Sequence, residues 1–310
     1  MRPVGTCALA LLALASLAFP SAPAQAQTGE RVTLGFGRLF TNDFFGDGRD
    51  RWHSGGYTFS LLRGAEGQVG RPDRLGSTLE YRLRSEIITP GTEDPVTGVD
   101  RPYAGTISLG LHSHAALGRT DVSLGADVML MGPSTGISGF QEWYHDLFSL
   151  PDPPGRDSEL GNAVHAGLTG ELAWPLRITD TATLRPFVEL QAGIEDIARV
   201  GGDVILGRVG HDDLLTREVT TGSLIRAVEG PYSGWILIAG ADWAQVGDSV
   251  LLPADQGFAP TDSRWRARVG VHWQAAPKMS FHYGLTWLSE EFEGQPEGQL
   301  IGGLKLNFNF

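Results

Sequence analysis

The sequence predicts an all-β protein, a transmembrane antiparallel β-barrel of about 12 strands with a short helix in an extracellular loop. Three observations carry this expectation. Runs of alternating apolar and polar residues recur along the chain at strand length. No segment beyond the first 26 residues is continuously apolar for the roughly 18 residues that a membrane helix needs. The last run, Leu300 to Phe310, alternates apolar positions and closes on an aromatic residue, the form of terminal strand taken up by the outer-membrane barrel-assembly machinery.

The chain opens with a segment that reads as a secretory leader over residues 1–26. Arg2 precedes an apolar core from Ala8 to Phe19, and Ala24-Gln25-Ala26 forms a small-x-small cleavage site. Residues 27–310 then form one outer-membrane barrel domain, about 280 residues long. Cleavage removes Cys7, the only cysteine in the sequence, so the exported protein has no disulfide and no thiol ligand.

Strands are expected near 32–40, 54–63, 77–88, 103–117, 120–131, 162–177, 182–195, 199–208, 233–247, 264–274, 279–289 and 299–310, separated by Gly, Pro, Asp and Asn clusters. The run Leu79 to Ile87 shows the pattern clearly, with odd positions mostly apolar and even positions charged. Bacterial barrels use even strand numbers. With the N-terminus in the periplasm, the segments 41–53, 89–102, 132–161 and 290–298 face outward. The inward links Gly118-Arg119, Thr179–Thr181 and Ala275–Pro277 are short, as periplasmic turns are. Residues 209–232 break this rule, which implies either a wrong strand count or a hidden hairpin.

The formal charge of −12 argues against nucleic acid as a partner, because phosphate backbones require a basic surface. Lysine occurs only at Lys278 and Lys305, with arginine elsewhere. Arginine forks suit anionic lipid headgroups, and a GC-rich genome would produce the same bias.

The glycine-rich run Gly132 to Gly139 delivers one imidazole, His145, into this pattern. Ile137, Phe140, Gln141, Tyr144, His145 and Phe148 recur at helical spacing, and Pro151, Pro153 and Pro154 stop the helix. A neutral imidazole can take a proton from water near neutral pH. A lone histidine on such a helix also has a plain structural reading. Asn42-Asp43 reads either as a strand-end turn or as oxygen donors for a hard cation, to which Asp47, Asp50 and Ser54 can add oxygens. Arg101 is either a phosphate contact or part of a strand-edge turn, and Glu291 and Glu293 are either rim charges or acids beside a cation.

Four patterns occur in order: Asn42-Asp43-Phe44-Phe45 followed by Asp50 to Gly56, then Arg101-Pro102-Tyr103-Ala104-Gly105, then the approach to His145, then Glu291 to Gln295. Together they resemble the outer-membrane lipid A 3'-O-deacylases of the LpxR type, across residues 32 to 310. The resemblance implies a twelve-stranded barrel in a Gram-negative outer membrane, with its site on the extracellular side. It also implies Ca2+ dependence and hydrolysis of an ester-linked acyl chain from lipid A or a related lipid of the lipopolysaccharide layer. Asn42 and His145 match its catalytic residues, and Asp43 with Ser54 its metal side, Ser54 standing where the family usually has threonine. Two positions depart from the pattern. No lysine lies between Asn42 and His145, leaving Arg82, Arg84 or Arg101 to supply its charge, and Asp152 stands where the family has glutamate. Arg84 and Arg101 are therefore the expected substrate contacts. The competing readings are a porin-like or non-enzymatic barrel and a soluble sugar-binding β-sandwich.

Overall fold

Twelve antiparallel strands close into a barrel in the computed structural model, which describes residues 30–94, 98–207, 213–228, 233–276 and 279–308. The expected leader, His211, Pro277 and Phe310 lie outside the described residues. The strands are β1 (Val32–Asn42), β2 (Trp52–Gly64), β3 (Thr78–Thr89), β4 (Ala104–Leu117), β5 (Thr120–Met131) and β6 (Ala163–Ala173). They continue as β7 (Ala182–Ala192), β8 (Glu195–Leu206), β9 (Gly234–Ser249), β10 (Ser263–Ala276), β11 (Met279–Leu288) and β12 (Gln299–Phe308). Each pairs with its sequence neighbour, and β1 closes the ring on β12 in the register Asn42↔Gly302. Among the described residues the one α-helix, α1 (Ile137–Phe148), lies in the β5–β6 connection.

Strand positions agree with the sequence expectation, with two local differences. The run expected over 162–177 stops at Ala173, because Pro175 has no N–H for the ladder, and Leu176–Thr179 pairs separately with β7. The boundary expected between 195 and 199 falls at 193–194. Gly193 takes φ 98°, and its N–H donates to Asp196 Oδ1 at 3.0 Å, so the turn closes in two residues.

Alternation fixes two surfaces. Tyr81, Leu83, Leu109, Leu111, Val128 and Leu130 point outward and are exposed. Stacked Trp235 and Trp273, 5.2 Å apart, sit at one end of this apolar belt, and Trp265 and Trp287 lie toward the other. Inward positions are charged and buried. Arg217 bridges Glu171 (2.5 Å) and Asp203 (2.8 Å), Arg185 reaches Glu171 (2.7 Å), and Arg199 and Arg266 both hold Asp242, at 2.6 and 3.0 Å.

Arg217 does not belong to the wall. The long β8–β9 connection contains a hairpin, Leu214–Arg217 paired with Leu224–Val228, folded inside the lumen. Wall glycines admit it: a Cβ on Gly35 would lie 2.5 Å from the Ala227 carbonyl, and one on Gly37 would lie 3.1 Å from Ile225. Leu215 and Leu224 pack with Ile205, Ile236 and Ile238, and Leu214, Ala227 and Val228 pack with Leu62. Polar bonds complete the plug, with His272 Nε2 donating to the Leu224 carbonyl (3.0 Å) and Lys305 Nζ to the Arg226 carbonyl (3.1 Å). The hidden hairpin is therefore the reason this link is long, and the strand count of 12 stands.

A filled lumen should not conduct. The intact protein in a planar bilayer is expected to be electrically silent, whereas deletion of 214–228 should open ion-permeable channels. Retained heat-modifiable migration on gels would show that the deleted form still closes as a barrel, and steady conductance by the intact protein would contradict the plug.

Candidate functional site

The site starts from the outer surface of the wall. Since Gly35 and Gly37 face the plug, alternation turns Phe40 and Asn42 outward, along with Gly55, Ile87 and Gly105 on the neighbouring strands. Asn42 caps the short 3-10 turn Asp43–Phe45, its Oδ1 accepting the Phe44 N–H at 2.8 Å. Its Nδ2 donates to the Ser54 carbonyl at 2.5 Å, tying the two ends of the β1–β2 loop together. The turn lies flat on β12, where a Cβ on Gly302 would meet Phe45 and one on Gly46 would meet the Leu300 carbonyl.

This packing buries Asp43 completely. Its Oδ2 accepts from the Arg51 N–H at 2.7 Å and from Gln299 Nε2 at 3.3 Å, while Oδ1 has no hydrogen-bond partner among the described residues. Burial raises the Asp43 carboxyl to about 8; the Arg51 N–H pulls the other way, and the Asp50 and Asp47 carboxylates push it further up. An orphaned, buried oxygen among neighbouring carboxylates is the setting in which a hard cation, or a proton, is accommodated. Among the described residues no three carboxylate or imidazole side chains converge at metal-binding distance, so a cation here would rely on Asp43 together with backbone and amide oxygens.

Helix α1 closes the other side. The segment Arg101 to Gly105 seats it: the Tyr103 hydroxyl donates to Gln141 Oε1 at 2.8 Å, and Gly105 leaves room for Ile137, which a Cβ there would meet at 2.9 Å. Ser138, Gln141 and His145 are buried beneath the helix. The helix ends at Ser149, whose φ of 53° turns the chain back, so that the Pro151 carbonyl meets His145 Nδ1 at 2.5 Å. A carbonyl only accepts, so Nδ1 carries the proton and, in the neutral ring, Nε2 keeps its lone pair. That nitrogen faces Asp50 Oδ2 at 3.4 Å. Asp50 lies on the same loop as Asp43, so connections one and five meet here.

The remaining expected residues fall elsewhere. The Ser54 hydroxyl is bonded to Thr89 Oγ1 at 2.5 Å, which gives it to the wall. Arg84 points into the lumen, paired with Glu86 at 2.8 Å, and Arg82 is paired there with Glu80 at 2.8 Å. Arg101 is buried under the loops against Glu291, at 3.2 Å, and burial lowers its pKa against the opposing pull of that carboxylate. Burial alone would raise Glu291, but His53 at 2.9 Å, with Arg264 and Arg101, holds it well below the usual carboxylate range. Glu291 thus clamps the loops from beneath, while Glu293 and Asp152 are exposed. The structure brings none of Arg82, Arg84 and Arg101 to the His145 group. Sequence reading missed Gln299 and gave Gln141 no role beyond its helical spacing. Both are uncharged, and only tertiary contact marks them.

Trp52 locks this arrangement. It adopts φ 54° at the start of β2, donates from its indole to Asp100 Oδ2 at 3.0 Å, and lies edge-on to Phe292 and beneath Arg51. Arg51 and Arg49 then reach Glu297 at 2.7 and 2.6 Å, so the last loop clasps the first.

The family model of the outer membrane protein LpxR matches residues 9–310 of this sequence. The chain belongs to the LpxR outer-membrane protein family. Among solved structures it is similar to LpxR from Salmonella typhimurium, with a TM-score of 0.72 and 17% identity over 89% of this chain and 100% of that one. The NanC porin (TM-score 0.43, 6% identity, 89% of this chain and 100% of that one) and the β domain of the Bordetella autotransporter BrkA (0.41, 10%, 90% and 99%) are more distant barrels. No curated protein matches this sequence. The LpxR family assignment makes the outward apolar belt the surface that meets the outer membrane.

The raised Asp43 carboxyl sets a pH dependence. A group that holds its proton more tightly folded than unfolded stabilises the fold below its ordinary value, and that contribution is lost as pH rises through the folded value. In chelator, urea stability in detergent should therefore fall between about 4 and about 8. Asp43→Asn should flatten that window, and equal slopes for the two proteins would exclude Asp43 as its source.

Proposed function

We propose that this protein is an outer-membrane hydrolase that removes an ester-linked acyl chain from lipid A, or a related lipid, at the extracellular surface of a Gram-negative bacterium. One observation carries the reading. His145, its Nδ1–H committed to the Pro151 carbonyl, aims Nε2 at Asp50 of the loop that buries Asp43, on the outer side of the wall where a lipid can approach. A base needs a free lone pair beside the water it activates, and Nε2 has one. In the proposed step, water gives its proton to Nε2 and its oxygen adds to the acyl carbonyl. The ester C–O bond then breaks, returning the proton to the departing hydroxyl and freeing a fatty acid. Asp50 stabilises the transient imidazolium, and Asn42 holds the loop in register. Ca2+ at Asp43, if bound, supplies positive charge to the developing oxyanion.

The filled lumen weighs against a porin-like role, since the Arg217 network and the hairpin occupy the path an ion would take. A non-enzymatic barrel is favoured only by the missing lysine, which none of the arginines considered replaces in position.

Mass spectrometry of lipid A from cells with and without the protein tests the reading. The active form should remove one ester-linked acyl unit, and His145→Ala should fold yet lower the rate by roughly 10²- to 10⁴-fold. Asp43→Ala should abolish calcium-dependent activity while the barrel still assembles. An unchanged spectrum at full expression would exclude the hydrolase, and undiminished activity in chelator would exclude calcium.

A further inference from the structure

Helix α1 has three faces where a surface helix usually has two. At about 100° per residue, Ser138, Gln141 and His145 fall together against the wall. Glu142 and Asp146 fall on a second, polar side, with Glu142 paired to Arg156 at 2.6 Å. Phe140 (53% exposed), Trp143 (56%), Tyr144 (43%), Leu147 (58%) and Phe148 (57%) form the third side, and protein covers little of it. Their rings already lean on one another, with Phe140 and Trp143 centred 5.8 Å apart and Tyr144 and Phe148 4.8 Å apart. A contiguous apolar patch of this kind marks an interaction surface.

We infer that this face of α1 is seated among the acyl chains of the outer leaflet, so that the helix is an interfacial anchor and the His145 site opens sideways to lipid. Position supports the choice of occupant. The helix lies over outward-facing Gly105, on the same side of the wall as the apolar belt. The belt itself continues upward at the foot of the site, where Phe40, Phe44 and Phe45 are exposed and the Tyr283 hydroxyl donates to the Phe45 carbonyl at 2.9 Å. Chemistry supports it too. Aromatic rings with a polar tip favour the boundary between hydrocarbon and headgroups, and a helix with one aromatic side and one charged side lies flat in that boundary. Buried Gln141 and His145 then sit between the anchor and the wall, beside the hydrocarbon that the anchor contacts. The inference rests on the outer-membrane seat of the barrel and not on hydrolysis.

Nitroxide labels test it. In the full chain with Cys7→Ser, a label is placed on Leu147→Cys or on Glu142→Cys, and the protein is reconstituted in vesicles of phosphatidylethanolamine and lipopolysaccharide. The label at 147 should collide with oxygen several-fold more readily, relative to a water-soluble nickel chelate, than the label at 142. Equal ratios at the two sites would overturn the inference. So would spin–spin broadening at 147 that vanishes on dilution with unlabelled protein, because the face would then be covered by a second copy. A Trp143→Ser, Leu147→Ser, Phe148→Ser variant that retains heat-modifiable migration should lose roughly tenfold or more of its hydrolysis in vesicles and keep its rate on detergent-dispersed lipid. Equal losses in both formats would assign the face to the folding of the site and overturn the anchor. If the unaltered protein hydrolyses neither preparation, the hydrolase reading fails while the label ratios still decide the anchor.

Discussion

Everything in this molecule follows from the alternation of side chains across a closed sheet. Across the apolar belt each wall residue faces either the membrane or the lumen, and closure of the twelve strands leaves none of them with a free edge. The membrane side accepts Leu, Val, Trp and Tyr. The lumen receives arginine and carboxylate at matching heights, where Arg199 and Arg266 share Asp242, and Arg185 and Arg217 share Glu171. A lumen lined in this way would still be wet and open. The hairpin from the β8–β9 connection fills it, adding its own Arg217 to the lattice and its own leucines to the apolar layer below. With the interior occupied, the proposed hydrolysis belongs to the outer surface of the wall near the long loops.

The contrast between two kinds of buried carboxylate separates structure from site. Glu171, Asp203 and Asp242 each meet at least two guanidinium groups, so their charge is matched where they stand. Asp43 is equally buried, but it is held by a backbone N–H and an amide, and one of its oxygens has no hydrogen-bond partner among the described residues. A buried polar group left unmatched costs stability, and folds keep such groups mainly where they serve a ligand or a reaction. The Asn42 cap, the Arg51 N–H and the Gln299 amide all hold this carboxylate in place, which marks it as the focus of the loop.

The sequence carried the barrel because period-two alternation is a one-dimensional signal, and it survives even where strand ends shift by a few residues. Gly193 and Pro175 moved two boundaries through local chemistry that is visible in hindsight. The plug was legible only as an anomaly of loop length, because Leu214–Arg217 and Leu224–Val228 look like any short strands until the lumen has room for them. Asn42, Asp43 and His145 were legible through their ordered resemblance to a family. The placement of Arg84 and Arg101 was not. Whether an arginine faces lipid headgroup, lumen or buried loop depends on a partner carboxylate far along the chain, as with Arg101 and Glu291. Glutamines 141 and 299 carry no charge and no motif, and they acquire meaning only from Tyr103 and Asp43.

The geometry at His145 depends on how its helix ends. A helix that ran on would carry the Pro151 carbonyl away along the axis, leaving Nδ1 without a fixed acceptor. Instead Ser149, a residue with a side chain, takes φ 53°, and the N–H groups of Ser149 and Leu150 close back onto Asp146 and His145 carbonyls. Pro151 then presents its carbonyl beneath the ring, and the prolines beyond it prevent the helix from resuming. Left-handed backbone at a residue other than glycine carries strain, and the surrounding contacts must hold it. The same short turn that stops the helix therefore selects the tautomer, and the tautomer decides that Nε2, facing the Asp50 loop, is the nitrogen free to accept a proton.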